Sequence, residues 1–281
     1  MVSNFHMPPT GFGPGSQKPS EDDGELEYMP LPQDMRTYTT HYPEVEVEDP
    51  TLLAPALALL AEIANGCDRA AATGQPELFD LSGLDAVNRQ LIAETMGEGE
   101  VSVRMRGIPA IAAQESVFAG VWVLKGVGVD QVEVAPVPSL IFERAFQPVR
   151  DALGQMAPKQ PGVLNAPSIL SELTDKSENF SPEAEIHVVN LTLLPHTEQD
   201  LLWLDEALGE GSVTILSRGY GNCRITATAQ DHVWRVQFFN SMDTLILDTF
   251  EVTRVPEVAL AADEDLSDSA ERLREVREAI Q

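Results

Sequence analysis

The sequence predicts an α+β protein made by tandem duplication of one α-β-α-β-β-β unit with mostly antiparallel sheets. The main support is an internal repeat, since Gly97-Glu98-Gly99 matches Gly209-Glu210-Gly211 at an offset of 112 residues (209 − 97 = 112). The same offset aligns Val121-Trp122 with Val233-Trp234 without a gap. A period this long with two copies is typical of a domain duplication and not of a solenoid.

A change of offset places an insertion in the second copy. Beyond the tryptophans, Glu133-Val134 matches Glu251-Val252 at an offset of 118 (251 − 133 = 118). The second copy therefore carries about six extra residues in one connection (118 − 112 = 6). The length of 281 residues also suits two domains of ordinary size.

Helical spacing followed by a short strand opens each copy. Asp49-Pro50 is a good helix start, and leucines and alanines follow at helical intervals to about Cys67. Residues 166–177 are the counterpart in the second copy. A short strand is predicted next, at residues 78–81 in the first copy and 188–193 in the second.

A second helix is predicted in each copy by its start and stop signals. Ser82 with Asp85, and Thr197 with Asp200, resemble capping boxes with aspartate in place of the usual glutamate. The Gly-Glu-Gly motif then ends the helix in both copies, with its first glycine as a natural C-cap.

Alternating apolar and polar residues predict that each copy ends in three strands. In the first copy these strands contain residues 101–106, 116–124 and 131–137. In the second copy they contain residues 213–218, residues 224–239 with a break near Asp231, and residues 244–255.

These elements predict five parts along the chain. They are a flexible tail at residues 1–48, repeat 1 at 49–145, a linker at 146–161, repeat 2 at 162–262 and a C-terminal amphipathic helix at 263–281. The tail is rich in proline, glycine and acidic residues, so it cannot bury enough apolar surface to offset its ordering entropy. Within it, residues 29–38 are a candidate for binding a partner in extended form.

Composition excludes several classes of function. The net charge of −27 and the pI near 4.3 argue against a nucleic-acid partner. Two cysteines without a CxxC pair suit a reducing compartment. We expect no signal peptide, and the most apolar stretch, residues 52–61, is too short to span a bilayer. The sequence therefore predicts a cytoplasmic protein without membrane insertion.

Cys223 is the first candidate for chemistry. It lies in residues 218–224, Arg-Gly-Tyr-Gly-Asn-Cys-Arg, whose two glycines allow unusual backbone angles or close approach to a partner. The first copy has Arg-Gly-Ile-Pro-Ala-Ile-Ala at residues 106–112, so the thiol belongs to one copy only. The alternative is that Cys223 is a small core residue. Arg218 and Arg224 would lower its pKa only if they lie close to it.

No enzyme or cofactor motif accompanies this segment. The five histidines lack metal-site spacing, and no nucleophile elbow, P-loop or dinucleotide fingerprint occurs. We therefore predict no enzymatic activity and no cofactor, with Cys223 as the only plausible metal ligand. Trp122 and Trp234 occupy the same place in the repeat, which favours a core role.

A set of candidate residues for binding a partner combines the segment around Cys223 with polar residues of both copies. The set is Gly219, Tyr220, Gly221, Asn222, Cys223, Arg224, Gln114, Glu115, Asn240 and Asp243. Asn240 and Asp243 also have the chemistry of a structural turn, and that alternative stays open.

Several of these segments resemble one known family, the hydrogenase expression/formation proteins of the HupH/HyaF type. The resemblance covers essentially the whole chain and rests on residues 29–38, 114–122, 218–225, 234–243 and 255–259, and on Asp265 with Asp268-Ser269. The Gly-Tyr-Gly-Asn-Cys segment is specific. Val123 departs from the pattern, because the family is expected to carry arginine after the tryptophan, as Arg235 does in the second copy.

The resemblance implies an accessory protein in the maturation of membrane-bound uptake nickel–iron hydrogenases. Such proteins are thought to assist the iron–sulfur small subunit before export, beside a thioredoxin-like partner. Two hypotheses follow: a chaperone or scaffold that holds an immature subunit, or a metal or iron–sulfur cluster handling protein that uses Cys223 as a ligand or redox thiol. The burial of Cys223 distinguishes them, since a buried thiol in an apolar setting argues against the second.

Overall fold

The computed structural model describes residues 50–218 and 222–280. The predictions made for the tail at residues 1–48, including residues 29–38, lie outside these described ranges.

Each half of the chain contains the same succession of elements. The first half consists of α1 (Ala54–Thr73), β1 (Glu77–Asp80), α2 (Ala86–Met96), β2 (Val101–Met105), β3 (Ile111–Glu115), β4 (Val121–Gly126) and β5 (Val129–Val134). The short helix α3 (Leu140–Arg144) follows. The second half consists of α4 (Ala166–Glu178), β6 (His187–Asn190), α5 (Glu198–Leu208), β7 (Val213–Ser217), β8 (Asn222–Ala227), β9 (Val233–Phe239) and β10 (Leu245–Val252). The helix α6 (Asp263–Ile280) follows the second half.

The predicted fold class, a duplicated α+β unit with antiparallel strands, is confirmed, and each unit contains one strand more than we predicted. In the first copy, residues 116–124 are not one strand but contain the turn between β3 and β4, which is closed by a bond from Ser116 N to Val121 O (2.8 Å). The run from Ser116 to Leu124 is mostly apolar, so it hides the turn at Gly120, where φ is +75°. In the second copy, the break predicted near Asp231 separates β8 from β9.

The ten strands of the described residues form one antiparallel sheet in the order β1-β5-β4-β3-β2-β7-β8-β9-β10-β6. The strand order of the second unit is therefore the mirror image of the order in the first unit. The units join where β2 pairs antiparallel with β7, and Val103 lies opposite Ile215. These two residues are themselves equivalent in the repeat (215 − 103 = 112), so a local twofold axis passes between them.

Backbone bonds at both ends of this junction obey the same symmetry. Arg106 N donates to Ser212 O (2.8 Å), and Arg218 N donates to Glu100 O (3.1 Å). Each bond is the twofold mate of the other, since both residue pairs are related by the offset of 112. The duplication therefore behaves like a symmetric dimer fused into one chain.

The sheet has different layers on its two faces. Helices α1, α2 and α6 cover the first unit's outer strands on one face, and α4 and α5 cover those of the second unit. The opposite face of the central strands carries a shared core that includes Trp122 and Trp234, both fully buried. The predicted core role of the two tryptophans is confirmed.

The terminal helix α6 belongs to the core of the first unit. Its buried residues Leu266, Leu273 and Val276 lie in one apolar cluster with Leu60 and Ile63 of α1. Two elements about 200 residues apart in sequence therefore pack together, so the first half is completed by the end of the chain.

The first helix is longer than the apolar stretch that suggested it. The expectation that residues 52–61 are too short to span a bilayer did not anticipate that the helix continues to Thr73. Over Thr51–Thr73 it is long and apolar enough to cross a membrane by length and composition alone, with a mean hydropathy of 1.2. Here Leu60, Ile63 and Cys67 of this helix are fully buried in the protein core, and a packed core helix meets the same criterion.

The Gly-Glu-Gly motif ends α2 and α5 as predicted, and both of its glycines are needed. Gly97 and Gly209 have φ of +56° and +66° and donate their N–H groups to the preceding helical turn. A Cβ atom on Gly99 would lie 2.2 Å from Ser116 O, and one on Gly211 would lie 2.3 Å from Ala145 O. The motif therefore combines a C-cap with a close backbone crossing.

The predicted capping boxes were right in the second copy and misplaced in the first. Thr197 caps α5 and exchanges bonds with Asp200 in a capping box. In the first copy the cap of α2 is Asp85, which accepts a bond from Asn88 N (2.9 Å), and not Ser82. Ser82 instead donates to Asp80, because residues 81–84 form a turn before the helix.

Equivalent buried residues tie the two helices of each unit together. Asp200 accepts bonds from the N–H groups of Leu164 (2.7 Å), Asn165 (3.0 Å) and Ala166 (3.0 Å) at the start of α4, and from Thr197 N (3.0 Å). Its equivalent Asn88 (200 − 112 = 88) accepts from Ala56 N and donates to Leu52 O. Burial alone would raise the pKa of Asp200, but the four N–H donors lower it to about 2.

We predict that Asp200→Asn destabilises the protein by about 1–3 kcal/mol at neutral pH, because a buried carboxylate that accepts four N–H bonds is lost. The folded pKa is lower than the unfolded value of 3.8, so this stability is present above about pH 4 and is lost as pH falls through about 2. Urea unfolding at pH 7 and at pH 3 should therefore give a smaller difference between wild type and variant at pH 3. Asp175→Asn, an exposed change on α4, is the control, and a difference that does not depend on pH would contradict the prediction.

Candidate functional site

A cleft opens in the second unit where β7, β8 and the turn between β9 and β10 come together. Its volume is about 430 Å³. The described residues that line it are Leu216, Ser217, Arg218, Asn222, Cys223, Arg224, Phe239 and Asp243. Four residues of the predicted set, Asn222, Cys223, Arg224 and Asp243, are therefore brought together.

Polar contacts hold one wall of the cleft. Asn222 begins β8, and its Nδ2 donates to Asp243 Oδ1 (3.1 Å). Asp243 has φ of +55° in the turn after β9. Asn240 does not line the cleft, and its Oδ1 accepts bonds from Met242 N (2.9 Å) and Thr244 N (3.0 Å). Asn240 therefore shapes the turn that presents Asp243 to the cleft.

Two arginines supply positive charge at the cleft. Arg224 is exposed, and its guanidinium lies 5.7 Å from the ring centroid of Phe239. Arg218 is exposed as well, and it differs from its repeat mate Arg106, which forms an ion pair with Glu210. Neither Arg218 nor Arg224 forms an ion pair within the described ranges. Both guanidinium groups are thus available to a partner.

Cys223 lines the cleft but is buried in the core. The residue is 4% exposed and belongs to the central apolar cluster with Ile225 and Trp234. Burial, together with the charge of Glu251, raises the pKa of the thiol to about 11. Arg224 does not lower it, because neighbouring residues of a strand point to opposite faces. The thiol is therefore protonated and shielded at neutral pH.

Gly219, Tyr220 and Gly221 lie outside the described residues. Their predicted role in binding a partner stays a prediction.

Gln114 and Glu115 lie apart from the cleft, on β3, which is three strands away from β8. Gln114 Nε2 donates to the carbonyls of Gly99, Val101 and Glu115, each at 3.1 Å. Glu115 is buried and accepts a bond from Gly120 N (3.1 Å), and burial raises the pKa of its carboxyl. Gln114 therefore satisfies the backbone beside Gly-Glu-Gly, Glu115 satisfies the turn at Gly120, and neither residue lines the cleft.

An exposed apolar hairpin beside the cleft was missed by the sequence interpretation. Met242, Leu245 and Ile246 follow β9, and Met242 is 80% exposed. They lie in the inserted part of the second copy, which is the connection where the offset changes from 112 to 118. The insertion was the available signal for this surface. Asn240 and Asp243 were selected from it for their turn chemistry, and the apolar residues between and after them were not selected.

The departure at Val123 has a counterpart in the ion pairs. In the second copy Arg235 Nε and Nη2 donate to Asp248 Oδ1 (2.9 Å) and Oδ2 (2.6 Å) in a bidentate pair. In the first copy Val123 replaces the arginine, and the equivalent acid Asp130 (248 − 118 = 130) pairs with Arg89 of α2. The equivalent carboxylates of the two units are therefore paired with arginines from different elements, α2 in the first unit and β9 in the second.

Metal-binding groups are sparse in this fold. Within residues 50–218 and 222–280, no group of three or more histidine, cysteine, aspartate or glutamate side chains is placed to hold a metal ion. The two cysteines, Cys67 and Cys223, are both buried and unpaired.

Fold and cleft together define a class of protein: a duplicated α+β protein with one open sheet, in which the second unit carries a cleft beside an apolar hairpin that is longer than its counterpart in the first unit. One family model, described as the C-terminal conserved region of the HupH hydrogenase expression protein, matches the chain twice, at residues 53–157 and 163–280. The two matches correspond to the two units.

Relatives extend this similarity over the whole chain. The hydrogenase expression/formation protein HupH of Rhodobacter capsulatus is 63% identical, with 100% of both chains covered. The hydrogenase expression/formation protein HoxQ of Cupriavidus necator is 45% identical over 98% of each chain. The hydrogenase-1 operon protein HyaF of Escherichia coli is 32% identical over 97% of this chain and 95% of that protein. The chain therefore belongs to the HupH family of hydrogenase expression/formation proteins.

We predict that neither cysteine reacts with a thiol reagent in the native protein at pH 8. Burial raises the pKa of Cys223 to about 11 and that of Cys67 to about 12, so the thiolate fraction is very small. Labelling should be at least about a hundredfold slower than in urea, where the pKa of a thiol returns to about 8.5. A Cys67→Ser variant makes Cys223 the single reporter. Native labelling of that variant within tenfold of the urea rate would contradict the burial of Cys223.

Proposed function

We propose that this chain is a chaperone or scaffold in the maturation of a nickel–iron uptake hydrogenase, and that it holds the immature iron–sulfur small subunit before export. Its relatives HupH and HoxQ are named as hydrogenase expression/formation proteins. The observation that carries the proposal is the surface of the second unit, where the apolar hairpin of Met242, Leu245 and Ile246 adjoins the cleft at Asn222.

The chemistry of this surface suits a protein partner. Exposed Met242, Leu245 and Ile246 provide apolar area, and burying one such side chain contributes on the order of 1–2 kcal/mol. Arg218 and Arg224 add directional hydrogen-bond donors at the rim. An apolar centre with an arginine rim is a common arrangement at protein interfaces.

The alternative is a metal or iron–sulfur cluster handling protein that uses Cys223. A ligand or redox thiol has to ionise and to be accessible. Burial of Cys223, its raised pKa and its apolar neighbours favour the scaffold over this alternative.

The setting of the proposed function is the cytoplasm, beside a thioredoxin-like maturation protein. The support is the family to which the chain belongs and the packing of its apolar helix α1 within the protein core. The proposal requires no cofactor of the chain's own.

We predict that Met242→Ser combined with Ile246→Ser reduces capture of the hydrogenase small subunit by about tenfold or more, because about 1.4 kcal/mol of apolar burial corresponds to a factor of ten. The measurement is affinity purification of the tagged full chain from cells that make the hydrogenase. The melting temperature should change by less than about 2 °C, since both side chains are exposed.

The matched control is Val127→Ser. Val127 is 85% exposed and lies at the tip of the equivalent hairpin in the first unit, between β4 and β5. Capture should survive this change. Equal loss in both variants, or no loss in the double variant, would overturn the assignment of the binding surface.

A further inference from the structure

No helix of the described part of the chain covers the helix-facing side of the four central strands. Strands β3, β2, β7 and β8 are neighbours in the sheet, and their register aligns their residues in rows across the strands. One row runs Gln114, Ser102, Leu216 and Arg224. The next row runs Ala112, Arg104, Thr214 and Thr226. We call these eight residues the central floor.

The central floor is open to solvent between two walls. Arg104, Ala112 and Arg224 are exposed, and the other five residues are half-buried. On one side, next to β3, a cavity of about 670 Å³ lies between α2 and the strands β4 and β5, and Lys125 of β4 is among its lining residues. On the other side a cavity of about 350 Å³ runs along α5 and is lined by Arg224 and Thr226. The helix layer is thus interrupted above the junction of the two units.

The charge of the floor is opposite to that of the chain. The protein has 45 acidic and 18 basic residues, yet the eight floor residues include two arginines and no acid. Within the described ranges Arg104, Arg224 and the adjoining Lys125 form no ion pair. The acids that line the two cavities are already paired, since Asp130 pairs with Arg89, Asp205 with Arg150, and Glu210 with Arg106.

The spacing of these cations is set by the sheet. Lys125 lies opposite Ala112, and Ala112 lies opposite Arg104, so Lys125 and Arg104 are two strands apart, or about 10 Å. Arg104 and Arg224 are two strands and two residues apart, which is about 12 Å. An extended peptide rises about 3.3 Å per residue, so carboxylates at every third or fourth residue match this spacing.

The floor has too little apolar area for the apolar face of a helix to pack on it, because Leu216 is the only large apolar residue among the eight. It is also asymmetric, since the repeat mates of Arg104 and Arg224 are Leu216 and Ala112. A charged segment bound across it would therefore take one direction and not the reverse.

We propose that the central floor binds an acidic segment of a partner protein in extended conformation, through Lys125, Arg104 and Arg224. This inference goes beyond the proposed function, because Arg104 and Lys125 belong to the first unit and lie outside the cleft. Each guanidinium can form charge-assisted bonds to a carboxylate, and the half-buried Ser102, Thr214 and Thr226 supply hydroxyl groups beside them.

The test uses the full chain and a fluorescein-labelled peptide of four Glu-Pro-Thr repeats, in which proline prevents helix formation. Fluorescence anisotropy at about 25 mM salt should detect binding of this peptide and not of its Gln-Pro-Thr counterpart, and about 300 mM salt should weaken binding at least tenfold. Arg104→Gln and Arg224→Gln should each weaken binding about fivefold to tenfold.

Lys176→Gln is the matched control, because Lys176 is exposed on the last turn of α4, away from the floor. It should leave binding unchanged within about twofold, since at moderate salt a distant charge is screened. No binding by wild type, equal binding of the two peptides, or equal effects of Lys176→Gln and Arg104→Gln would overturn the proposal. Loss of peptide binding in Arg104→Gln with subunit capture intact would separate this floor from the hairpin surface.

Discussion

The pairing of β2 with β7 is the interaction on which the rest of the structure depends. It joins two five-stranded units into one sheet and places Val103 against its own repeat mate Ile215. One side of this junction is sealed by buried Val103, Met105, Val213 and Ile215, so separating the units would expose the centre of the shared core. The other side stays open because the helices of each unit pack over its outer strands. The central floor is a consequence of this arrangement.

Duplication also explains where the two units differ. Equivalent residues stabilise the two units: Asn88 and Asp200 link the two helices of each unit, and the glycines of Gly-Glu-Gly end the second helix of each. The exposed positions have diverged. The second unit has the longer hairpin with Met242 and the arginine at 224, while the first contributes Arg104 and Lys125. A symmetric frame thus carries an asymmetric surface, as is expected when a fold is kept for stability and its surface changes for binding.

Much of the fold could be predicted from the sequence because the two copies form the same elements, so each copy can be compared with the other. Gly-Glu-Gly and the capping box at Thr197 have local signatures, and both were located correctly. The turn near Gly120 was missed because apolar residues surround it. The joining of the two units into one sheet and the packing of α6 on α1 could not be predicted, because both depend on contacts between segments more than 100 residues apart. The alternation of apolar and polar residues in β2 predicts a strand but does not identify the strand with which it pairs.

The candidate site was predicted only in part, for a physical reason. Asn222 and Asp243 were selected as polar residues near glycines and a turn, and they do meet. Gln114 and Glu115 were selected on the same grounds, but their side chains serve buried backbone groups. Polar residues that satisfy a backbone and those that face a partner have the same sequence signature. Exposed apolar residues such as Met242 have none, because exposure is a property of the fold.

Native-state hydrogen exchange tests the central claim most directly. If the junction of β2 and β7 makes the two units one cooperative body, its amides, including those of Arg106 and Arg218 at the ends, should open only with global unfolding. Their opening free energies should lie within about 1 kcal/mol of those of β4 and β9 in the two units. Opening of the β2 and β7 amides at a free energy several kcal/mol lower, while β4 and β9 stay protected, would show two units that separate independently and would contradict this account.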